Sequence, residues 1–301
     1  MYIGRFAPSP TGPLHFGSLI AALASFLRAR QLGGRWLVRL DDIDPLRQPP
    51  DSCDQIMAAL KAHGLEWDGA PSLQSNHSSF YDDAIAHLRQ RGLLYPCTCS
   101  RKQIKESGAR EKLPGLGPVY PGTCRKAPPK TLKRYALRMR VEQGKVSFND
   151  LVQGRVSQDL ERQSGDFIIK RRDNLYSYSL AVAVDDARQE ITEVIRGADL
   201  LQQTPRQIFI MQNLGQQPPV YGHVPVATDS SGQKLSKQSG APALDNSRAE
   251  ENLVKAMKML RMPISPDVSS ASLQELLDWG VANFRLEALE GIKTQAIDFR
   301  L

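Results

Sequence analysis

The sequence predicts an α/β protein built on a mostly parallel sheet, and three features predict it. Residues 1–40 read strand, helix, strand, the unit that lays two strands side by side in parallel. Asp166-Phe-Ile-Ile169 and Tyr178-Ser-Leu-Ala-Val-Ala-Val184 are unbroken apolar runs of the kind found in strands buried on both faces. Between these parts lies 95–165, rich in Gly, Pro and basic residues, with little periodicity before Leu132. The expectation is one domain in two halves, 1–94 and 166–240. Residues 95–165 form an insertion between them, and 241–301 a short helical piece at the end.

Taken in order, Met1-Tyr-Ile opens as a short strand, and Pro8, Pro10, Gly12 and Pro13 then hold the chain out of helix and sheet. From about Ser18 the residues turn small and apolar through Leu27, which reads as a helix starting near Ser18. Arg35 to Leu40 is the second strand, followed at once by the acidic turn Asp41-Asp42-Ile43-Asp44-Pro45. Pro49-Pro50-Asp51 opens a helix with Ile56, Leu60 and His63 at helical spacing, and another runs from Phe80 to Arg91. Leu132 to Arg140 and Val146 to Val152 alternate as two strands joined by a turn over 143–145. Thr192 to Ala198 is a strand and turn, Pro205 to Leu214 a helix, and Val220 to Ala227 a strand leading into the polar loop 228–240. Leu253, Met257 and Leu260 mark one face of a tail helix, and Leu273 to Phe284 is a second.

A chain of 301 residues with 41% hydrophobic and 24% charged residues has the composition of an ordinary soluble protein. No run approaches the ~20 apolar residues of a membrane span, and the N-terminus lacks the basic-then-apolar order of a secretion signal. A cytoplasmic location and no membrane partner are expected. The net charge of +7 suits an anionic macromolecule without demanding one. Four cysteines are too few for a disulfide scaffold.

A strand, a rigid turn and a helix N-terminus form an anion site, because the first helical N–H groups are unpaired and the dipole favours negative charge. In parallel sheets ligands sit beyond the carboxyl ends of strands, so Arg5 to Ser18 and the acidic turn should share one crevice. His15 can donate to a phosphate oxygen, and Gly17 lets backbone come close. Lys234-Leu-Ser-Lys-Gln238 places two ammonium groups three residues apart, and an ammonium follows charge that moves during reaction. Alone that loop reads as a solvated basic loop; with the first stretch it reads as the second half of a nucleotide site.

Cys97-x-Cys99 with Cys124 gives three thiolates that suit tetrahedral zinc and still need a fourth ligand. No His lies in the insertion; His87 is the nearest and falls on an expected helix, while Cys53 reads as merely buried. Arg125, Lys126, Lys130, Lys133, Arg134, Arg138 and Arg140, with Lys170, Arg171 and Arg172, suit either a nucleic-acid backbone or a solvated face.

His15-Phe16-Gly17-Ser18 and Lys234 to Gln238 resemble the two signatures of class I aminoacyl-tRNA synthetases. They differ at Phe16, Ser18, Leu235 and Gln238 but keep the imidazole, the glycine and the lysines. Arg5-Phe-Ala-Pro-Ser-Pro-Thr-Gly12 is similar to the opening of glutamyl-tRNA synthetases, and Arg39 to Asp44 resembles their acidic turn with Asp41 in place of the usual Glu. Asp166 to Ile169, Tyr178 to Asp186 and Ile195-Arg-Gly-Ala-Asp199 continue the likeness. The pattern Cys-x-Cys…Tyr-x-x-x-Cys is similar to a zinc site of a short glutamyl-tRNA synthetase-like family. The chain length after Lys237 is too short for their anticodon-reading region, and the whole resembles the glutamyl-queuosine tRNA(Asp) synthetases.

That resemblance implies a class I, Rossmann-like catalytic domain with a zinc-containing insertion and no anticodon-binding domain. It implies ATP-dependent, tRNA-independent activation of L-glutamate and transfer to queuosine in the anticodon of tRNA(Asp), by a monomer. His15, Lys234 and Lys237 would be catalytic, and His15, Gly17, Ser18 and Lys237 would bind ATP, which enters with Mg²⁺ as a substrate. Arg5, Phe6, Ala7, Pro8, Ser9, Asp41, Tyr178 and Arg196 would bind glutamate. Cys97, Cys99, Tyr120 and Cys124 would hold one structural Zn²⁺, with the phenolate as fourth ligand. The chemistry agrees: a glutamate side chain wants a bidentate guanidinium, for which Arg5 and Arg196 are candidates, and its ammonium wants an acceptor such as Asp41, directly or through water. Each Arg equally suits a structural ion pair. Three other readings remain: a truncated glutamyl-tRNA synthetase charging a 3′ end, a nucleotidyltransferase acting on another acid, and a non-catalytic tRNA-binding paralogue.

Overall fold

The computed structural model describes residues 1–142, 144–229, 232 and 242–296. β1 (Ile3–Phe6), α1 (Phe16–Gln31) and β2 (Arg35–Leu40) form the expected unit, with β1 and β2 parallel and Arg5 opposite Leu37. α1 starts two residues earlier than Ser18, because His15 caps it: the Ser18 N–H donates to His15 Nδ1 at 3.3 Å. α2 (Ser52–Ala62) follows, and β3 (Ser72–Leu73) extends the sheet beside β2; α3 is Ser78–Gln90.

The next strands depart from the expectation. β4 (Leu94–Cys97), β5 (Ala136–Met139) and β8 (Phe167–Lys170) form an antiparallel sheet, so the apolar run 166–169 is a strand but not a parallel one. β6 (Lys145–Asp150) pairs with β7 (Gly154–Asp159) and not with β5, and the anticipated hairpin does not form. The Val141 N–H is taken by the Asp166 carboxylate at 2.9 Å, which turns the chain away before β6 begins. Gln143, in the expected turn, lies outside the described residues.

Tyr178–Arg188 is a helix, α4, and not a buried strand. Ser177 caps it by accepting the Leu180 N–H, and every residue from Ser179 to Asp186 is buried. A helix enclosed on all sides has no polar stripe, so its apolar run looks like that of an inner strand. β9 (Glu193–Gly197), α5 (Thr204–Asn213) and β10 (Val220–Val224) continue the chain; β10 lies parallel between β9 and β6. The expected strand over Val220 to Ala227 is split at Pro225, which has no N–H to donate. Beyond it β11 (Val226–Thr228) pairs with β12 (Thr294–Ala296) near the end of the described chain.

The parallel sheet β1-β2-β3 and the mixed sheet β7-β6-β10-β9 abut at β1 and β9, where the Thr192 N–H donates to the Ile3 carbonyl and the Ile3 N–H to Thr192 Oγ1, each at 2.9 Å. α1 covers the junction, and α6 (Ala249–Met259) and α7 (Leu273–Asn283) pack on it through Leu253, Met257, Leu260 and Leu276. A second core joins α3, α4 and α5 around Tyr81, Leu180 and Ile208. The cysteine-bearing segment has only a small cluster of its own: Tyr95, Cys97, Tyr120 and Cys124.

Candidate active site

The carboxyl ends of β1, β2, β9 and β10 open together onto a cavity of about 830 Å³. Its walls include Arg5 and Phe6 at the end of β1, Ala7, Pro8 and Ser9 from the turn after it, and Asp41 after β2. Tyr178 from the start of α4 and Arg196 from β9 complete one side, while His15, Gly17 and Ser18 at the start of α1 form the other. Every described residue expected to bind glutamate or ATP therefore lines one space. Lys234 and Lys237 lie outside the described residues. The residues flanking them do reach the cavity: Val226 and Ala227 line it, and Ala243 bridges to His15.

The floor is a buried charge cluster that sequence reasoning missed. Asp186 of α4 accepts Arg5 Nε at 3.2 Å and Arg5 Nη2 at 3.0 Å, and also Arg39 Nη1 at 2.7 Å. Burial alone would raise the Asp186 pKa, but the two guanidinium groups hold it down to about 2. Arg39 Nε also donates to Asp41 Oδ1 at 2.8 Å. Burial dominates at Asp41 and pushes its pKa up to about 6 despite Arg39. Asp41 Oδ2 is buried with no hydrogen-bond partner among the described residues. The Nε–Nη2 edge of Arg5 is thus filled by Asp186, which leaves the Nη1 protons and the second Nη2 proton to face a ligand. Asp185 and Asp186, two acids inside an apolar run, were the available signal, since buried carboxylates must have partners.

Arg196 sits differently. Its Nε donates to His223 Nε2 at 3.1 Å, and its Nη2 to Thr204 Oγ1 at 2.8 Å and Gln207 Oε1 at 2.7 Å. None of these partners is charged at neutral pH, and Nη1 is buried with no partner among the described residues. His223 is fixed in turn by Asp150, whose Oδ2 lies 2.5 Å from Nδ1 and whose Oδ1 accepts the His223 N–H at 3.0 Å. Accepting from Arg196 at Nε2 requires the neutral tautomer with its proton on Nδ1. Burial, the largest influence, lowers the His223 pKa to about 4 even though Asp150 opposes the change. Asp150, His223 and the pair Thr204 and Gln207 lie on three separate elements and gave no motif.

This has a pH consequence. A histidine whose folded pKa lies below its unfolded value of ~6.5 adds stability that is full above pH ~6.5 and lost as pH falls toward 4. Wild type should lose about 3 kcal/mol more than His223→Gln between pH 7 and 4 in urea unfolding, from ~2.5 pKa units at ~1.4 kcal/mol each. Equal losses in the two proteins would contradict a buried neutral His223.

At the other end of the cavity, α1 presents its N-terminus with no acidic residue in the first turn, and Ser18 Oγ lies 3.1 Å from His15 Nε2. A helix N-terminus, an imidazole and a hydroxyl make a site for phosphate oxygens.

Outside the cavity, the Cys97, Cys99 and Cys124 sulfurs lie within 4.8 Å of one another. The Tyr120 hydroxyl is 3.4 Å from Cys97 Sγ and 3.3 Å from Cys99 Sγ, and Cys99 and Cys124 are 3.5 Å apart. Tetrahedral zinc with sulfur at ~2.3 Å sets ligands about 3.5–3.8 Å apart, so the four atoms fit such an ion. Burial raises the Cys124 thiol, yet hydrogen bonds led by the one from Tyr120 bring it down to about 7, toward the thiolate a metal needs. The Arg138 guanidinium lies 3.8 Å over the Tyr120 ring. Gly165, at φ +65°, allows the approach of this segment, since a Cβ there would fall 2.7 Å from the Tyr120 nitrogen. Cys53 is not part of the cluster.

The profile of the family described as tRNA synthetases class I (E and Q), catalytic domain, matches residues 3–278. A protein of Dechloromonas aromatica named glutamyl-Q tRNA(Asp) synthetase is 46% identical over 96% of this chain and 95% of its own. One of Neisseria meningitidis with the same name is 44% identical over 95% and 97%. Among solved structures, a glutamate-tRNA synthetase from Elizabethkingia anophelis superposes with a TM-score of 0.81 at 23% identity, over 99% of this chain and 68% of that one. A methionyl-tRNA synthetase from Mycobacterium tuberculosis gives 0.57 at 12%, over 86% and 64%. The last two likenesses concern the fold. Among the described residues, no helix is long and apolar enough to cross a membrane.

Proposed function

Because the chain belongs to the class I tRNA synthetases (E and Q) and is a ligase of that kind, we propose that it activates L-glutamate with ATP and transfers it to queuosine of tRNA(Asp). The observation that carries the reading is the cavity's polarity. At one end stand a guanidinium donor and a carboxylate acceptor with no partner among the described residues, Arg196 Nη1 and Asp41 Oδ2; at the other stand His15 and the α1 N-terminus. A glutamate with its side chain toward Arg196 and its ammonium toward Asp41 points its α-carboxylate along the cavity. Arg5 Nη1 and the Tyr178 hydroxyl add donors.

The α-carboxylate attacks the α-phosphorus of ATP in line, the bond to the pyrophosphate oxygen breaks, and glutamyl-adenylate forms. No protein nucleophile is needed; alignment and charge stabilisation carry the step. His15 and the α1 N–H groups meet the phosphates, Lys234 and Lys237 neutralise charge passing to the leaving group, and Mg²⁺ bound with ATP shares it. A queuosine hydroxyl then attacks the glutamyl carbonyl and AMP leaves. The three cysteines and Tyr120 hold one structural zinc, which leaves no coordination position for substrate.

Glutamate-dependent ATP–pyrophosphate exchange should occur without tRNA, and labelled glutamate should pass to tRNA(Asp) only when it carries queuosine. Exchange with another acid instead, or charging of the 3′ end of tRNA(Glu), would overturn the reading. Asp41 must be ionised to hold an ammonium, so the KM for glutamate should rise as pH drops below about 6. A KM that stays flat from pH 8 to 5.5 would remove Asp41 from the site.

A further inference from the structure

Where the RNA lies is a separate question, and the answer offered here rests on the proposed transfer to tRNA. Beside the active-site cavity a second groove, of about 630 Å³, runs between α3 and the end of β8. Six cations line it: Arg89 on α3, Lys133 and Arg134 ahead of β5, and Lys170, Arg171 and Arg172 after β8. Its two carboxylates are already engaged. Asp82 accepts Lys170 Nζ at 2.8 Å, and Asp173 accepts Arg171 Nη2 at 2.6 Å. Arg89, Lys133, Arg134 and Arg172 have no carboxylate partner among the described residues.

The sequence scatters these four residues over more than eighty positions, and the fold gathers them. α3 packs on the core under β5 and β8, which sets Arg89 across from the two chain segments. A tight turn, with Arg171 N–H on the Leu175 carbonyl at 2.7 Å and Asn174 at φ +66°, presents Arg172 at the groove's edge. Arg171 lines both this groove and the active-site cavity, so the two lie side by side. A single anion would need one or two cations; four without counter-charge along a groove suit the repeated phosphates of a nucleic-acid strand. We propose that this groove carries the phosphate backbone of the tRNA as its reacting nucleotide enters the cavity.

The test is a triple variant, Lys133→Ala with Arg134→Ala and Arg172→Ala, in the full-length protein; Lys133 and Arg134 are exposed and Arg172 half-buried, so the fold should hold. Glutamate-dependent exchange without tRNA should stay within about twofold, as no phosphate contact of the groove enters that step. Affinity for tRNA(Asp), followed by fluorescence anisotropy, should fall about tenfold or more. The slope of log affinity against log salt should become shallower by about two, at ~0.7 per neutralised phosphate. Removal of two charges by Lys255→Ala with Lys258→Ala on α6 should change neither. Unchanged affinity and slope with exchange intact would remove the groove and leave the proposed reaction standing. Loss of exchange in the triple variant, or equal effects from the α6 pair, would also overturn it. If wild type neither binds tRNA nor exchanges with glutamate, the underlying reading fails and the groove with it.

Discussion

Arg196→Ala should lower kcat/KM for glutamate in ATP–pyrophosphate exchange by about a hundred- to thousandfold and change the KM for ATP little. The removed group supplies a charge-assisted hydrogen bond in a buried site, worth ~1.5–3 kcal/mol, and its loss also strands the substrate's carboxylate there. Arg196 is held by three neutral acceptors, His223, Thr204 and Gln207, and none of its hydrogen-bond partners among the described residues is a carboxylate. Arg196→Lys separates charge from geometry. An ammonium keeps the charge but cannot satisfy all three acceptors and reach a ligand, so most of the loss should persist. Equal losses toward ATP and glutamate would mean that Arg196 shapes the cavity and does not select the amino acid. By contrast, Arg5→Ala leaves Asp186 with Arg39 alone, and its first effect should be on stability.

Cys124→Ser should abolish binding of the one zinc ion expected per chain, read by metal analysis, and destabilise the protein by about 3 kcal/mol or more. The segment's own core is four side chains, two of them metal-site cysteines and a third Tyr120, too little to order the segment unaided. Rapid proteolysis between 98 and 135 should accompany the loss, while the α1 side keeps its core of Leu19, Leu23 and Trp36. A variant that keeps full metal content, or loses it with no change in protease resistance, would contradict a structural ion.

The elements that the sequence made legible are those with an open face or an unambiguous punctuation mark. β1, α1 and β2 follow from small apolar residues between Pro-rich and Gly-rich turns, and α6 and α7 from faces that must find a core. The run 178–184 was misread because a helix buried all round carries no amphipathic stripe. Strand partners were misread around β5 because pairing there is decided by Asp166, a carboxylate taken up by Val141, Tyr95 and Arg125 and distant from all three in the chain.

By itself the sequence determined the chemistry available. The turn after β1, the helix behind it, the acidic turn and the Cys97, Cys99 and Cys124 pattern are local groupings whose residue types have few other uses together, while Tyr120 and Arg196 entered through the family resemblance. Tertiary structure decided what each group is free to do. It spent the Nε–Nη2 edge of Arg5 on Asp186 and left Arg196 Nη1 and Asp41 Oδ2 with no partner among the described residues. It also brought Arg89, Lys133, Arg134 and Arg172 to one groove. Whether a charge is neutralised or available depends on the few ångströms around it, and residues far apart in the chain meet at that distance only once the chain has folded.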